Sequence, residues 1–263
     1  MKYAEQRREI VKACQDMNRR GINQGTSGNI SVRVKEGFLL TPSGMAYDEM
    51  KPADIVLMKK DASHIGSRKP SSEWRFHHAL MGKRPEIGAV VHTHSMFATT
   101  LSCLGMEIPA VHYMIAAAGG NTIRCAPYAT YGTPETAANA VKALEGRSAC
   151  LLANHGMIVV GPNLKKAMWL AVEVETLAAQ YWRALQIGKP NILPKAEIGR
   201  VIEKFKSYGQ AKEPAPACCC GRGATTETEP MARGTRPPSL VDELLDEVVP
   251  EELDWERLVR TYP

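Results

Sequence analysis

The sequence predicts an α/β fold of the α+β type: a single domain with a central, mainly antiparallel β-sheet flanked by helices, followed by a flexible C-terminal tail. Three observations predict it. Short apolar runs occur in pairs, without the regular strand–helix–strand alternation of a parallel sheet. Helical periodicity recurs in six separate stretches. Apolar residues then thin out beyond residue 210. With 263 residues, 44% of them hydrophobic, the chain is long enough to bury a sizeable core.

The elements follow in order. Residues 2–20 set Ile10, Val11, Cys14 and Met17 at helical spacing, and Gly21 ends that helix. Strands are predicted at 30–34, 38–41, 55–58, 88–92, 150–153 and 157–160. A helix at 73–81 is entered through Ser71 and Ser72, which are candidate N-caps. Helices at 96–104 and 134–144 follow, the latter with Pro134 in its first turn. The clearest helix is 163–186, where Leu164, Ala167, Ala171, Val174, Leu177 and Ala178 share one face. A last helix at 195–205 completes a body of residues 1–209. Residues 210–238, rich in Pro, Gly, Thr and Glu, read as a disordered linker. Residues 239–263 recover a pattern. Leu240, Leu244, Leu245 and Val248 oppose Asp242, Glu243, Asp246 and Glu247, which predicts a short amphipathic acidic helix.

Charge narrows the partners. The net charge of +5 hides an asymmetry: residues 211–263 hold 6 basic and 11 acidic residues, residues 1–210 the other 27 and 17. A basic body suits small anionic ligands by long-range steering. Its basic residues are dispersed, without the stripe a nucleic-acid interface needs, so no nucleic-acid partner is expected. No apolar run is long enough to span a bilayer, and the charged N-terminus lacks the apolar segment of a signal peptide. A cytoplasmic protein with no membrane partner is the expectation. Cys14, Cys103, Cys125 and Cys150 stand singly in or beside apolar segments and read as buried free thiols. Cys218, Cys219 and Cys220 are too few for a tetrahedral site and receive no role.

Four residues carry the chemistry. His92 and His94 stand two apart at the end of a predicted strand, where i and i+2 share a face. His155 ends another apolar run, before Gly156. Glu73 closes Pro70-Ser71-Ser72-Glu73. Three imidazoles and one carboxylate suit a zinc-like dication, and a displaceable fourth ligand makes such a site catalytic. His64, His77, His78 and His112 lack such a setting and read as non-ligands. Ser71 and Ser72 at a helix start can hold an anion. So can the loop 25–31, with Gly28 and Asn29, and the turn at Ser43 and Gly44. Taken alone, each of these is an ordinary turn or helix start.

Taken together, the motifs resemble the class II aldolase/adducin family, in particular its zinc-dependent L-fuculose-1-phosphate aldolases. The resemblance rests on residues 21–33, 70–77, 90–94, 108–121, 127–133, 154–156 and 203–209. It implies that His92, His94 and His155 hold one Zn²⁺ per subunit, with Glu73 as the fourth ligand and the proton carrier. It implies a phosphate cradle of Gly28, Asn29, Ser43, Gly44, Ser71 and Ser72. Tyr113, from a neighbouring subunit of a homotetramer, would serve the aldehyde oxygen, and Tyr208 would help close the site. Tyr131 stands where such aldolases usually carry Phe, at the aldehyde end of the pocket. The implied reaction cleaves a small phosphorylated sugar, a deoxyketose 1-phosphate, to dihydroxyacetone phosphate and an aldehyde. Related 4-epimerases and methylthioribulose-phosphate dehydratases are the alternative; the epimerases carry Asp where Glu73 stands. The linker and terminal helix resemble segments that direct enzymes into bacterial microcompartments.

Overall fold

The computed structural model describes residues 1–207. The readings placed on Tyr208, on Cys218–Cys220 and on the linker and acidic helix lie outside the described residues. The elements run β1 (Asn29–Val34), β2 (Gly37–Leu40), β3 (Val56–Lys59), β4 (His64–Ile65), β5 (Ala89–Thr93), β6 (Ile108–Pro109), β7 (Thr122–Ala126), β8 (Ala149–Leu152) and β9 (Gly156–Gly161). The helices are α1 (Ala4–Arg19), α2 (Trp74–Lys83), α3 (Met96–Cys103), α4 (Pro134–Ala143), α5 (Leu164–Ile187) and α6 (Lys195–Ser207), with 3-10 turns at Pro52–Asp54 and Tyr113–Ala118. The strands form one sheet in the order β4-β3-β2-β1-β5-β9-β8-β7-β6. Every neighbouring pair is antiparallel except β7 with β8.

Strand alternation divides the core in two. Ile30 and Val32 of β1, Val91 of β5 and Val159 of β9 face one side, packed with Ile10, Cys14 and Met17 of α1, Leu101 of α3 and Val174 of α5. Val90, Ile158 and Val160 face the other, against Phe76 and Leu80 of α2 and Ala137 and Ala140 of α4. Helices therefore cover both faces of a largely antiparallel sheet. The polar residues Asn29 and Ser31 alternate with Ile30 and Val32, so β1 turns them toward the α2 side.

Three details differ from the sequence reading. First, β4, β6 and β7 were not legible. In β7 only Ile123 and Ala126 are buried, because Arg124 interrupts the apolar run. Second, Ser71 and Ser72 do not cap α2. Glu73 occupies the N-cap position without a side-chain capping bond, and the Ser71 hydroxyl instead accepts from the Glu73 N–H at 3.3 Å. The Glu73 carboxylate is thereby left for other partners. Third, Cys14 and Cys150 are buried as expected and Cys125 is half-buried, but Cys103 is exposed at the end of α3. Among the described residues no helix is long and apolar enough to cross a membrane.

Candidate metal centre

The centre is assembled from four chain segments that meet at one end of the sheet. β5 is central, with β1 on one side and β9 on the other. His92 sits within β5, in register with Asn29 of β1 and Ile158 of β9. His94 lies just past its end. His155 lies in the tight turn joining β8 to β9, where Asn154 takes the left-handed conformation at φ 54°. Glu73 enters from the start of α2. Close backbone approach holds these pieces together: a Cβ on Gly156 would meet the Thr93 carbonyl oxygen at 2.5 Å and the His94 ring at 3.0 Å.

One ligand atom from each of Glu73, His92, His94 and His155 falls within a sphere of mutual distances no greater than 4.8 Å. His92 Nε2 is 3.1 Å from His94 Nε2 and 3.1 Å from Glu73 Oε2, and His155 Nε2 is 3.1 Å from Glu73 Oε1. Atoms sharing a tetrahedral ion at about 2.0–2.1 Å sit roughly 3.3 Å apart, so these spacings suit one zinc-sized dication. The tautomer of His92 agrees. Its Nδ1 faces the Met157 carbonyl at 2.9 Å, which makes Nδ1 the protonated nitrogen and points the Nε2 lone pair into the centre. Glu73 Oε1 is buried and, beyond the His155 nitrogen at 3.1 Å, has no partner. Several lone pairs converging in a buried place repel one another unless a cation lies among them.

Electrostatics sharpen the picture. Burial alone would raise the Glu73 carboxyl, but the facing His92 and His155 overcome it and hold the group well below the usual carboxylate range. Burial lowers His92, yet the Glu73 carboxylate raises it further, to a net value above the ordinary imidazole. His94 is pushed down to about 4, by burial first and then by His92 and His155. An ionised Glu73 facing a His92 that is held toward its charged form makes an ion pair, in which a metal cation can take the place of the His92 proton.

Beside the centre opens a cleft of about 370 Å³, lined by Thr26, Ser27, Ser43, Gly44, Ser72, Glu73, His94, Tyr128, Ala129, Tyr131, Asn154 and His155. Ser43, Gly44, Ser72 and Tyr131 of the sequence-derived set therefore reach the cleft. Gly28, Asn29 and Ser71 are buried at its back. The Asn29 side chain is occupied: its Nδ2 donates to Glu73 Oε2 at 2.9 Å, and its Oδ1 lies 2.6 Å from His77 Nε2. Tyr113 does not line this cleft; it is 48% exposed in a separate groove with Val111, His112 and Leu193. Sequence reasoning missed Thr26, Ser27, Tyr128 and Asn154 on the cleft wall, although the first two belong to the small polar loop it had singled out. It also missed Glu175 of α5. That carboxylate accepts from the Ser95 hydroxyl at 2.6 Å and from the Phe97 and Ala98 N–H groups at 2.8 and 2.9 Å, anchoring α3 directly behind His94.

Comparison with known proteins gives a consistent result. Residues 8–182 match the class II aldolase and adducin N-terminal domain. The chain is 55% identical over 211 residues to the 5-methylthioribulose-1-phosphate/5-deoxyribulose-1-phosphate aldolase of Rhodospirillum rubrum, covering 80% of this chain and 96% of that one. It is 50% identical over 203 residues to the L-fuculose phosphate aldolase of Escherichia coli strain K12, covering 77% and 94%. A solved structure of an L-fuculose 1-phosphate aldolase superimposes with a TM-score of 0.74 at 43% identity, covering 76% of this chain and 95% of that one. On this similarity of sequence, fold and length, the chain belongs to the class II aldolase and adducin family and is an aldolase, a lyase, within it.

Proposed function

We propose that this enzyme is a zinc-dependent aldolase that reversibly cleaves a deoxyketose 1-phosphate to dihydroxyacetone phosphate and an aldehyde. The substrate candidates are L-fuculose 1-phosphate, which would release lactaldehyde, and 5-deoxy- or 5-methylthio-ribulose 1-phosphate. The observation that carries this reading is the convergence of one ligand atom each from a buried Glu73, His92, His94 and His155 beside an open cleft. His92, His94 and His155 would hold a Zn²⁺, with Glu73 as the fourth ligand until substrate displaces it, and the ion would supply electrophilic stabilisation of developing negative charge.

The protein does the rest. When the bond breaks its electron pair stays on C3, and the C4 hydroxyl becomes the aldehyde carbonyl. Glu73 removes the C3 proton in synthesis; in cleavage it delivers to C3 a proton that it has first taken up from water in the cleft. Tyr113, reaching in from a neighbouring copy of a homotetramer, takes the C4 hydroxyl proton and returns it in synthesis; Tyr208 helps to close the site. Hydroxyls and backbone N–H groups of Gly28, Asn29, Ser43, Gly44, Ser71 and Ser72 bind the phosphate. Tyr131 meets the aldehyde tail, and its hydroxyl biases which tail fits. The enzyme works in the cytoplasm on a small sugar phosphate, without nucleic acid or membrane. Its acidic terminal segment is proposed to direct it to a microcompartment shell. Deleting residues 210–263 would then keep turnover and abolish co-purification with shells; shell entry by the truncated enzyme would refute the targeting role.

The deciding experiment incubates the protein with each candidate ketose 1-phosphate, with and without chelator, and identifies the products. Dihydroxyacetone phosphate released only without chelator supports the aldolase. An epimeric pentulose phosphate, or a dehydrated product, would replace it with one of the alternative family activities.

A further inference from the structure

One step behind Glu73 lies a buried chain of polar side chains, of which Ser31 and His77 have no part in the reaction above. Ser31 Oγ is 2.7 Å from His77 Nδ1, His77 Nε2 is 2.6 Å from Asn29 Oδ1, and Asn29 Nδ2 is 2.9 Å from Glu73 Oε2. Ser31 and His77 are fully buried, and Asn29 and Glu73 are exposed by only 3% and 5%. Two periodicities create this chain. Asn29 and Ser31 are i and i+2 on β1; Glu73 and His77 are i and i+4 at the start of α2.

The direction of every link is fixed from one end. An ionised carboxylate only accepts, so the Asn29 atom facing Glu73 is the NH₂. The Asn29 atom facing His77 is then the carbonyl oxygen, which also only accepts. His77 Nε2 must therefore carry the ring proton. That leaves His77 Nδ1 as an acceptor, filled by the Ser31 hydroxyl. A flipped Asn29 amide would set oxygen against the carboxylate and NH₂ against an imidazole N–H, two repulsive contacts in a dry setting.

We propose that His77 is a positioning residue for the reaction: held in its Nε2–H tautomer by Ser31, it locks the Asn29 amide so that Glu73 Oε2 is pinned. Oε1, which faces His155 Nε2 at 3.1 Å and is not tied to the polar chain, is thereby left as the freer oxygen. This deepens the zinc-aldolase reading and rests on it. His77 is not one of the four candidate ligands and does not line the cleft, so its hydrogen bond reaches Glu73 through Asn29.

The test compares wild type, His77→Leu and His77→Gln. Glutamine keeps an N–H near the place of Nε2; leucine keeps only bulk. Zinc affinity is measured with Zn²⁺ alone by dye competition, and kcat and KM are measured on the best ketose 1-phosphate. For His77→Leu the expected outcome is a loss of about tenfold in zinc affinity and in kcat, the size typical of a partner behind a metal ligand, with KM nearly unchanged. His77→Gln recovers most of both. Equal losses in the two variants, or wild-type affinity and kcat in His77→Leu, would overturn the proposal. If His77→Leu does not fold, Ser31→Ala reads the same chain: a loss of about fivefold in zinc affinity is expected, and no loss overturns it. Should wild type cleave no sugar phosphate, the zinc-aldolase reading fails, while the affinity order of the variants still decides whether His77 holds Glu73.

Discussion

At the scale of the residue, the two oxygens of Glu73 have different surroundings. Oε2 receives the Asn29 amide and faces His92, whereas Oε1 is buried and faces only His155. Glu73→Gln keeps the shape but cannot carry the proton, so kcat should fall by about 100- to 10,000-fold, the range for a lost general acid–base. Initial-rate measurements check this; a fall confined to KM would remove Glu73 from proton transfer. Proton release on zinc binding offers a second check. The Glu73 carboxylate raises His92 above the ordinary imidazole value, so below that raised pKa the metal must displace a proton. Release from His92 should be present below its raised pKa and be lost as the pH rises through it, and zinc affinity should weaken toward acid. Calorimetry in buffers of different ionisation enthalpy measures it; pH-independent release near zero would contradict the assigned pair. That these four residues could share one centre was legible because His92 and His94 stand two apart at a predicted strand end, with His155 and Glu73 beside polar turns, and the fold does bring them together although His94 lies just past β5. His77 was not, because a buried neutral histidine carries no mark in the sequence until α2 is laid on β1.

At the scale of the element, the centre depends on how closely β5, β9 and the β8–β9 turn approach one another. Gly156 permits that approach. Gly156→Ala would drive a methyl group against the Thr93 carbonyl and the His94 ring. It should destabilise the fold by about 1–3 kcal/mol, as overpacking does, and lower zinc affinity by moving two ligands. Denaturant melts and zinc titration test it; unchanged stability and affinity would show that the approach is looser than drawn. The helices and most strands were legible from periodicity. β7 was not, since Arg124 breaks its pattern, nor were the two-residue strands β4 and β6, which are too short to show one. The start of α2 was misjudged for a physical reason. Ser71 satisfies the Glu73 N–H and leaves α2 without a side-chain cap, which releases the Glu73 carboxylate to the histidines.

At the scale of the whole molecule, the sheet is covered on both faces, and the four candidate metal ligands gather from segments 82 residues apart in sequence, Glu73 to His155. An ion binding only the folded chain stabilises it by mass action, about 2.7 kcal/mol at a hundred times Kd. For a body of this size that corresponds to roughly 5–10 °C in Tm. Saturating zinc should therefore raise the Tm of wild type by that amount and leave His94→Ala nearly unmoved, as read by differential scanning calorimetry; equal shifts in both proteins would place the ion elsewhere. Tyr113 lies outside the cleft of its own chain, which ties the proposed chemistry to assembly as well as to folding. The central claim is that one cation at His92, His94, His155 and Glu73 is required for carbon–carbon cleavage. Its most direct test titrates Zn²⁺ into metal-stripped enzyme while dihydroxyacetone phosphate release is followed. The account predicts no turnover without metal and a linear rise that saturates at one ion per chain. Full turnover by the stripped enzyme, or activity indifferent to bound zinc, would contradict it.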